Sequence, residues 1–130
     1  MKFRGLLIVL IAFALIAAER PRVFSIGGQK FKEADIVDAR ALPDLNGTAA
    51  ILLTLDDKAA KRLAKVSRKN RDKPVTVALD GKTLVRPVIR SEISDGVLQI
   101  SGLFSIDQAT TLARRISGKE PLPDSLEEAP

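Results

Sequence analysis

Two short alternating runs joined by Asp80-Gly81 constrain this chain more than any other stretch of it. The segment Lys73–Gly102 reads KPVTVALDGKTLVRPVIRSEISDGVLQISG. Val75, Val77 and Leu79 alternate with Thr76 and Ala78, the two-residue period of a strand with one buried face. Asp80-Gly81 supplies the positive φ angles that a two-residue hairpin turn requires. The return strand, Lys82–Ile89, carries Leu84, Val85, Val88 and Ile89. Pro87 within it has no N–H for the ladder, which places that position at a sheet edge or a bulge. Asp95-Gly96 then turns the chain into a third predicted strand beginning Val97-Leu98-Gln99-Ile100.

The flanking sequence supplies helices and further strands. Arg22–Ile26 followed by Gly27-Gly28 suits a short strand and turn, and Phe31 opens a less regular stretch. Ala34–Leu42 alternates as a strand does, Pro43–Gly47 (PDLNG) is a turn cluster, and Thr48–Leu55 (TAAILLTL) is an apolar run of strand length. Asp56-Asp57 places carboxylates where a helix leaves its first N–H groups free. The helix over Lys58–Lys69 keeps Ala59, Ala60, Leu63, Val66 and Ser67 on one side, and Pro74 stops any continuation. Ser105 with Gln108 forms a capping-box pattern for a second helix with an Ala109, Leu112, Ala113, Ile116 stripe, ended by Gly118. The principal elements run β-β-α-β-β-β-α. This predicts a single small α+β domain with a mixed or antiparallel sheet of about five strands and two helices on one face.

Composition narrows the chemistry. The 130 residues contain no His and no Cys. The usual general base, the commonest metal ligand and every thiol-based arrangement are therefore missing. No D-x-D-x-D-G calcium loop occurs, and Gly27-Gly28 lacks the spacing of a phosphate loop. Asp56, Asp57, Asp80 and Asp95 have structural work as caps and turn residues. No catalytic residue, cofactor or metal site is expected, and the chain reads as a non-enzyme.

At the N-terminus Lys2 and Arg4 precede Leu6–Ala18, an unbroken apolar run. A spanning helix needs about 20 residues, whereas this length suits the core of an export signal. Residues 1–18 are expected to be a signal peptide or an uncleaved anchor, 19–118 the domain, and 119–130 a disordered acidic, proline-rich tail. The expected location is the periplasm, with tethering to the inner membrane if the signal is retained. Loss of Lys2 and Arg4 would lower the formal net charge of +5 by two.

One charged surface stands out. Lys58, Lys61, Arg62, Lys65, Arg68 and Lys69 share the polar side of the first helix. Such a face is first of all a solvated helix surface; the alternative is an envelope interaction or structural domain that uses it on an anionic partner or membrane surface. Nucleic acid is not expected, because an export signal precedes the domain and this face carries no aromatic side chain for base stacking.

Four pieces of this sequence, in order, carry a resemblance. They are Ile36–Ala41 (IVDARA), the helix segment Ala59–Ala64, Leu79-Asp80-Gly81 through Pro87-Val88-Ile89, and Gln99-Ile100-Ser101-Gly102 through Leu112-Ala113. Together they resemble the periplasmic head region of SecD, a membrane protein that assists Sec-dependent protein export. The resemblance implies a stand-alone, head-like module without the multi-helix membrane part that uses the proton gradient. In that family the head is thought to contact exported polypeptide. The implied partners are unfolded or translocating polypeptide or Sec translocon components. The expected contact is the hairpin edge around Arg86, Pro87 and Arg90, by strand addition.

Overall fold

The computed structural model describes residues 22–123. The expected signal segment, 1–18, and residues 124–130 of the expected tail lie outside them. Strands β1 (Phe24–Ile26) and β2 (Gln29–Phe31) turn about Gly27-Gly28, and a 3-10 turn at Glu33–Asp35 leads into β3 (Ile36–Pro43). Then follow β4 (Ala49–Leu55), helix α1 (Asp57–Lys69), β5 (Val77–Leu79), β6 (Lys82–Val85), β7 (Val97–Phe104) and helix α2 (Ile106–Ser117).

The domain is α+β with antiparallel pairing, and its strands divide between two sheets rather than forming one. One sheet has the order β2-β1-β5-β6 and the other β3-β4-β7. The Asp80-Gly81 hairpin forms as its residues require, with φ of 51° and 81°. β7, whose partner the sequence pattern leaves open, pairs with β4, Leu98 opposite Leu53. The inner side of the hairpin is taken by β1, which sets Phe24 opposite Leu79 and Ile26 opposite Val77. The region after Gly28 is also more regular than its sequence indicates, because Gln29–Phe31 returns along β1.

A single apolar cluster joins both sheets and both helices. Phe24, Ile26, Phe31 and Val77 from one sheet, with Val75 just before β5, meet Ile51, Leu53, Ile100 and Ile36 from the other, with Leu63 and Ile116 from the helices. Each fully buried aliphatic side chain of this kind contributes roughly 1.5–3 kcal/mol. α2 packs across β3 and β4, while α1 reaches from β4 to β2. The helix ends are built as the sequence indicates. The Asp56 carboxylate accepts from the Ala59 N–H at 2.8 Å. Ser105 and Gln108 close a reciprocal capping box, and Gly118 ends α2 at φ 74°.

Ser67 is the most buried polar side chain of α1, fully enclosed. Its hydroxyl donates to the Ala64 carbonyl at 2.7 Å and accepts from the Ile93 N–H at 3.0 Å. It thereby ties the connection between β6 and β7 to the helix. Gly96, at φ 74°, comes so close to α1 that a Cβ there would lie 2.7 Å from that of Ala60.

The segment expected to be a free tail starts at Lys119, yet its first residues are held. The Leu122 N–H donates to Asp38 Oδ1 at 2.8 Å, and its carbonyl accepts from Arg40 Nη2 at 2.7 Å. Arg114 pairs with Glu120 at 2.8 Å. Asp38 and Arg40 lie on β3 and Arg114 on α2, so residues 120–122 are held along the outer strand of that sheet. Burial alone would raise the Asp38 carboxyl. The hydrogen bonds from Arg40 and the Leu122 amide, with the Arg40 charge, outweigh it and hold the group below its ordinary 3.8.

Candidate functional site

β6 ends its sheet, so one side of it has no strand partner. Such an edge offers main-chain donors and acceptors to an incoming strand. The pairing to β5 is irregular as well. Val77 faces Val85 and Ala78 faces Thr83, which leaves Leu84 as the extra residue of a bulge. Beyond Val85 the chain stays beside residues 72–75 without forming a regular ladder. The Val75 N–H donates to the Pro87 carbonyl at 2.8 Å, and Pro74 bridges to Val88. Pro87, expected within a strand reaching Ile89, therefore lies past the end of β6, where its missing donor breaks no ladder.

The free side of β6 opens onto β7 of the other sheet. At one end Val85 packs on Gly102, where a Cβ would lie 3.1 Å from Val85 Cγ1. At the other end the strands part around a groove of about 580 Å³, lined by Lys82, Thr83, Leu84, Leu103, Phe104, Asp107, Gln108, Thr111 and Leu112. Leu103 is 94% exposed there, and Ile106 beside it is 44% exposed. Leu84, Phe104 and Leu112 are half-buried, giving an apolar floor with a polar rim. Sequence reasoning missed this groove. The available signal was the Leu103-Phe104 pair directly before the Ser105 cap, since adjacent strand residues point to opposite faces and one of two apolar neighbours must face outward.

The expected contact residues lie past the strand, not in the groove. Arg86 and Arg90 are exposed and Pro87 is half-buried between them. Arg90 stands 3.7 Å from Asp72.

The basic side of α1 divides in two. Arg62 is half-buried; it pairs with Asp35 at 2.7 Å, donates to the Lys30 carbonyl at 2.9 Å and lies 4.9 Å from the centre of the Phe31 ring. Arg68 pairs with Glu92. These two arginines fasten α1 to its surroundings. Lys58, Lys61, Lys65 and Lys69 are exposed. A cleft of about 560 Å³ lies between α1 and the β1–β2 turn, lined by Gly27, Gly28, Gln29, Arg62, Lys65, Val66, Lys69 and Asn70.

Among the described residues no group of three or more Asp or Glu side chains could hold a metal ion. No helix among them is long and apolar enough to cross a membrane. The turn carboxylate Asp80 serves as an anchor, accepting from the Val23 N–H at 2.9 Å and from Arg115 of α2.

Comparison with known proteins agrees with this architecture. The family model for the SecDF P1 head subdomain matches residues 20–119. The protein translocase subunit SecDF of Thermus thermophilus is 38% identical over 91 residues, which are 69% of this chain and 12% of that protein. The protein translocase subunit SecD of Sebaldella termitidis is 38% identical over 78 residues, 60% of this chain and 19% of that one. A solved structure of SecDF, described as a membrane component that enhances protein export, superposes with a TM-score of 0.62 at 35% identity, covering 74% of this chain and 44% of that chain. SecDF in a super-membrane-facing form gives a TM-score of 0.60 at 36% identity, covering 70% of this chain and 12% of that chain. The chain thus spans less than a fifth of the curated relatives named here. With the two-sheet fold and the match from residue 20 to residue 119, the chain belongs to the SecDF P1 head subdomain family.

Proposed function

We propose that this domain is a non-enzymatic accessory of Sec-dependent protein export that binds extended polypeptide between β6 and β7. The observation that carries the reading is an unpaired strand edge beside an apolar groove in a member of the SecDF head family. An incoming segment would add to β6 through its main chain, a mode that tolerates many sequences because the backbone supplies the hydrogen bonds. Alternate side chains of that segment would enter the groove over Leu84, Phe104 and Leu112. Arg86 and Arg90, exposed on either side of Pro87, would attract acidic stretches toward the edge without fixing a register. In this reading residues 19–118 form the working domain on the periplasmic side. Residues 1–18 direct export, and the intact mass of the exported protein tests whether they are removed.

Photo-crosslinking in cells tests the binding reading. A photoreactive residue at Leu103, 94% exposed in the groove, should label a translocating preprotein. The same residue at Leu45, fully exposed at the β3–β4 turn, should not. Equal labelling from both positions, or none from Leu103 while the preprotein is in transit, would overturn it.

A further inference from the structure

We infer that the lysine row of α1 is a docking surface for an anionic lipid bilayer. Lys61, Lys65 and Lys69 recur every four residues, so they form one line of about 12 Å along the helix. Lys58 precedes it toward the N-terminus, and past the C-terminus Arg71 and Lys73 are exposed on either side of Asp72, which stands 3.7 Å from Arg90. The helix sorts its cations by type. Both arginines are held by carboxylates, Arg62 by Asp35 and Arg68 by Glu92. Among the described residues, the four lysines make no ion pair. Like charges at this spacing weaken a helix, and Asp57, in the first turn, is the single acid on α1. Two of the lysines, Lys65 and Lys69, also line the cleft beside Gly27-Gly28, whose lining contains no carboxylate.

A bilayer fits this arrangement better than other polyanions. An anionic membrane is a plane of charge without fixed register, and it suits hydrated point charges on flexible stems. Planar forks, the devices for a phosphate in a defined place, are the cations this helix has already committed elsewhere. Single-stranded nucleic acid would call for stacking platforms, but Phe24 and Phe31 are buried in the core and no aromatic lies on α1.

Vesicle sedimentation with the full chain tests this. Phosphatidylcholine vesicles report any binding through the N-terminal apolar run, and vesicles with added phosphatidylglycerol report the increment due to charge. Each lysine near such a surface contributes about fivefold. The triple variant Lys61→Glu, Lys65→Glu, Lys69→Glu should therefore lose at least about a hundredfold of the increment. The Gln triple, which keeps the helix-compatible stems, should lose most of it too. Raising salt from about 0.1 M to about 1 M shortens the screening length from about 10 Å to about 3 Å and should abolish the wild-type increment. A control of equal charge change, Lys82→Glu, Arg86→Glu, Lys119→Glu, should retain it. Equal loss in the control would show that only net charge matters and would overturn the proposal. So would an undiminished increment in both lysine triples, or capture of single-stranded DNA without any vesicle increment.

Discussion

Removing one oxygen atom from Ser67 should loosen the connection that leads from β6 to β7. The hydroxyl is fully buried and has two partners, the Ala64 carbonyl at 2.7 Å and the Ile93 N–H at 3.0 Å. In Ser67→Ala the Ala64 carbonyl keeps its place in the helix ladder, so its loss is small. The Ile93 amide is different. It is half-buried, and its partner belongs to another element. An amide deprived of its acceptor costs about 1–3 kcal/mol when water cannot replace the bond. Partial access for water puts the expected loss at about 1–2 kcal/mol. For a domain of about 100 residues that lowers Tm by roughly 5–15 °C. Urea unfolding should show a lower midpoint with an unchanged slope. Amide exchange should accelerate at Ile93 far more than at Leu53 in the centre of β4. Wild-type stability together with unchanged exchange at Ile93 would refute the assignment of Ser67 as the tether.

Two further predictions follow from close contacts elsewhere. Gly96→Ala places a Cβ 2.7 Å from that of Ala60 at φ 74°, so strain and overpacking together should cost about 2–4 kcal/mol. A double-mutant cycle with Ala60→Gly should return a coupling of about 1 kcal/mol or more, and strict additivity would argue against the contact. Asp38 provides a pH test. Its folded-state carboxyl is held below the ordinary 3.8, so its contribution to stability is present above that value and fades as pH falls through the lower folded one. The stability difference between wild type and Asp38→Asn should therefore shrink below about pH 4, whereas a constant difference from pH 7 to pH 2 would show that the charge plays no part.

The parts of the fold that local chemistry dictates are legible in the sequence alone. Asp80-Gly81, Asp56, the Ser105–Gln108 pair and Gly118 each solve a problem within four residues of themselves, and each does so in the structure. The division into two sheets depends on β1 meeting β5 across more than fifty residues, and alternation of Val75, Val77 and Leu79 is the same whichever strand lies alongside. β2 is obscured because Gln-Lys-Phe is too short to show a period. The site follows the same pattern. Pro87 marks a break in the ladder for a reason internal to proline, although the strand expected to reach Ile89 already ends at Val85. The groove depends on where Leu103 and Leu112 meet Leu84, which no single segment records. Composition cannot separate Arg62 and Arg68 from the lysines of α1, since their partners Asp35 and Glu92 come from other parts of the chain.

The meeting of Val85 with Gly102 has a mechanical meaning. The two sheets share a core, yet among the described residues β6 and β7 share no ladder. Their junction rests on dispersion contacts worth about 0.1–0.2 kcal/mol per atom pair. The space at that junction is set by position 102. A Cβ there would also press on the Phe104 ring at 2.9 Å. A glycine at this point lets Val85 and the Phe104 ring close over the backbone from opposite sheets, so the seam between β6 and β7 is sealed by side chains where no hydrogen bond joins the strands.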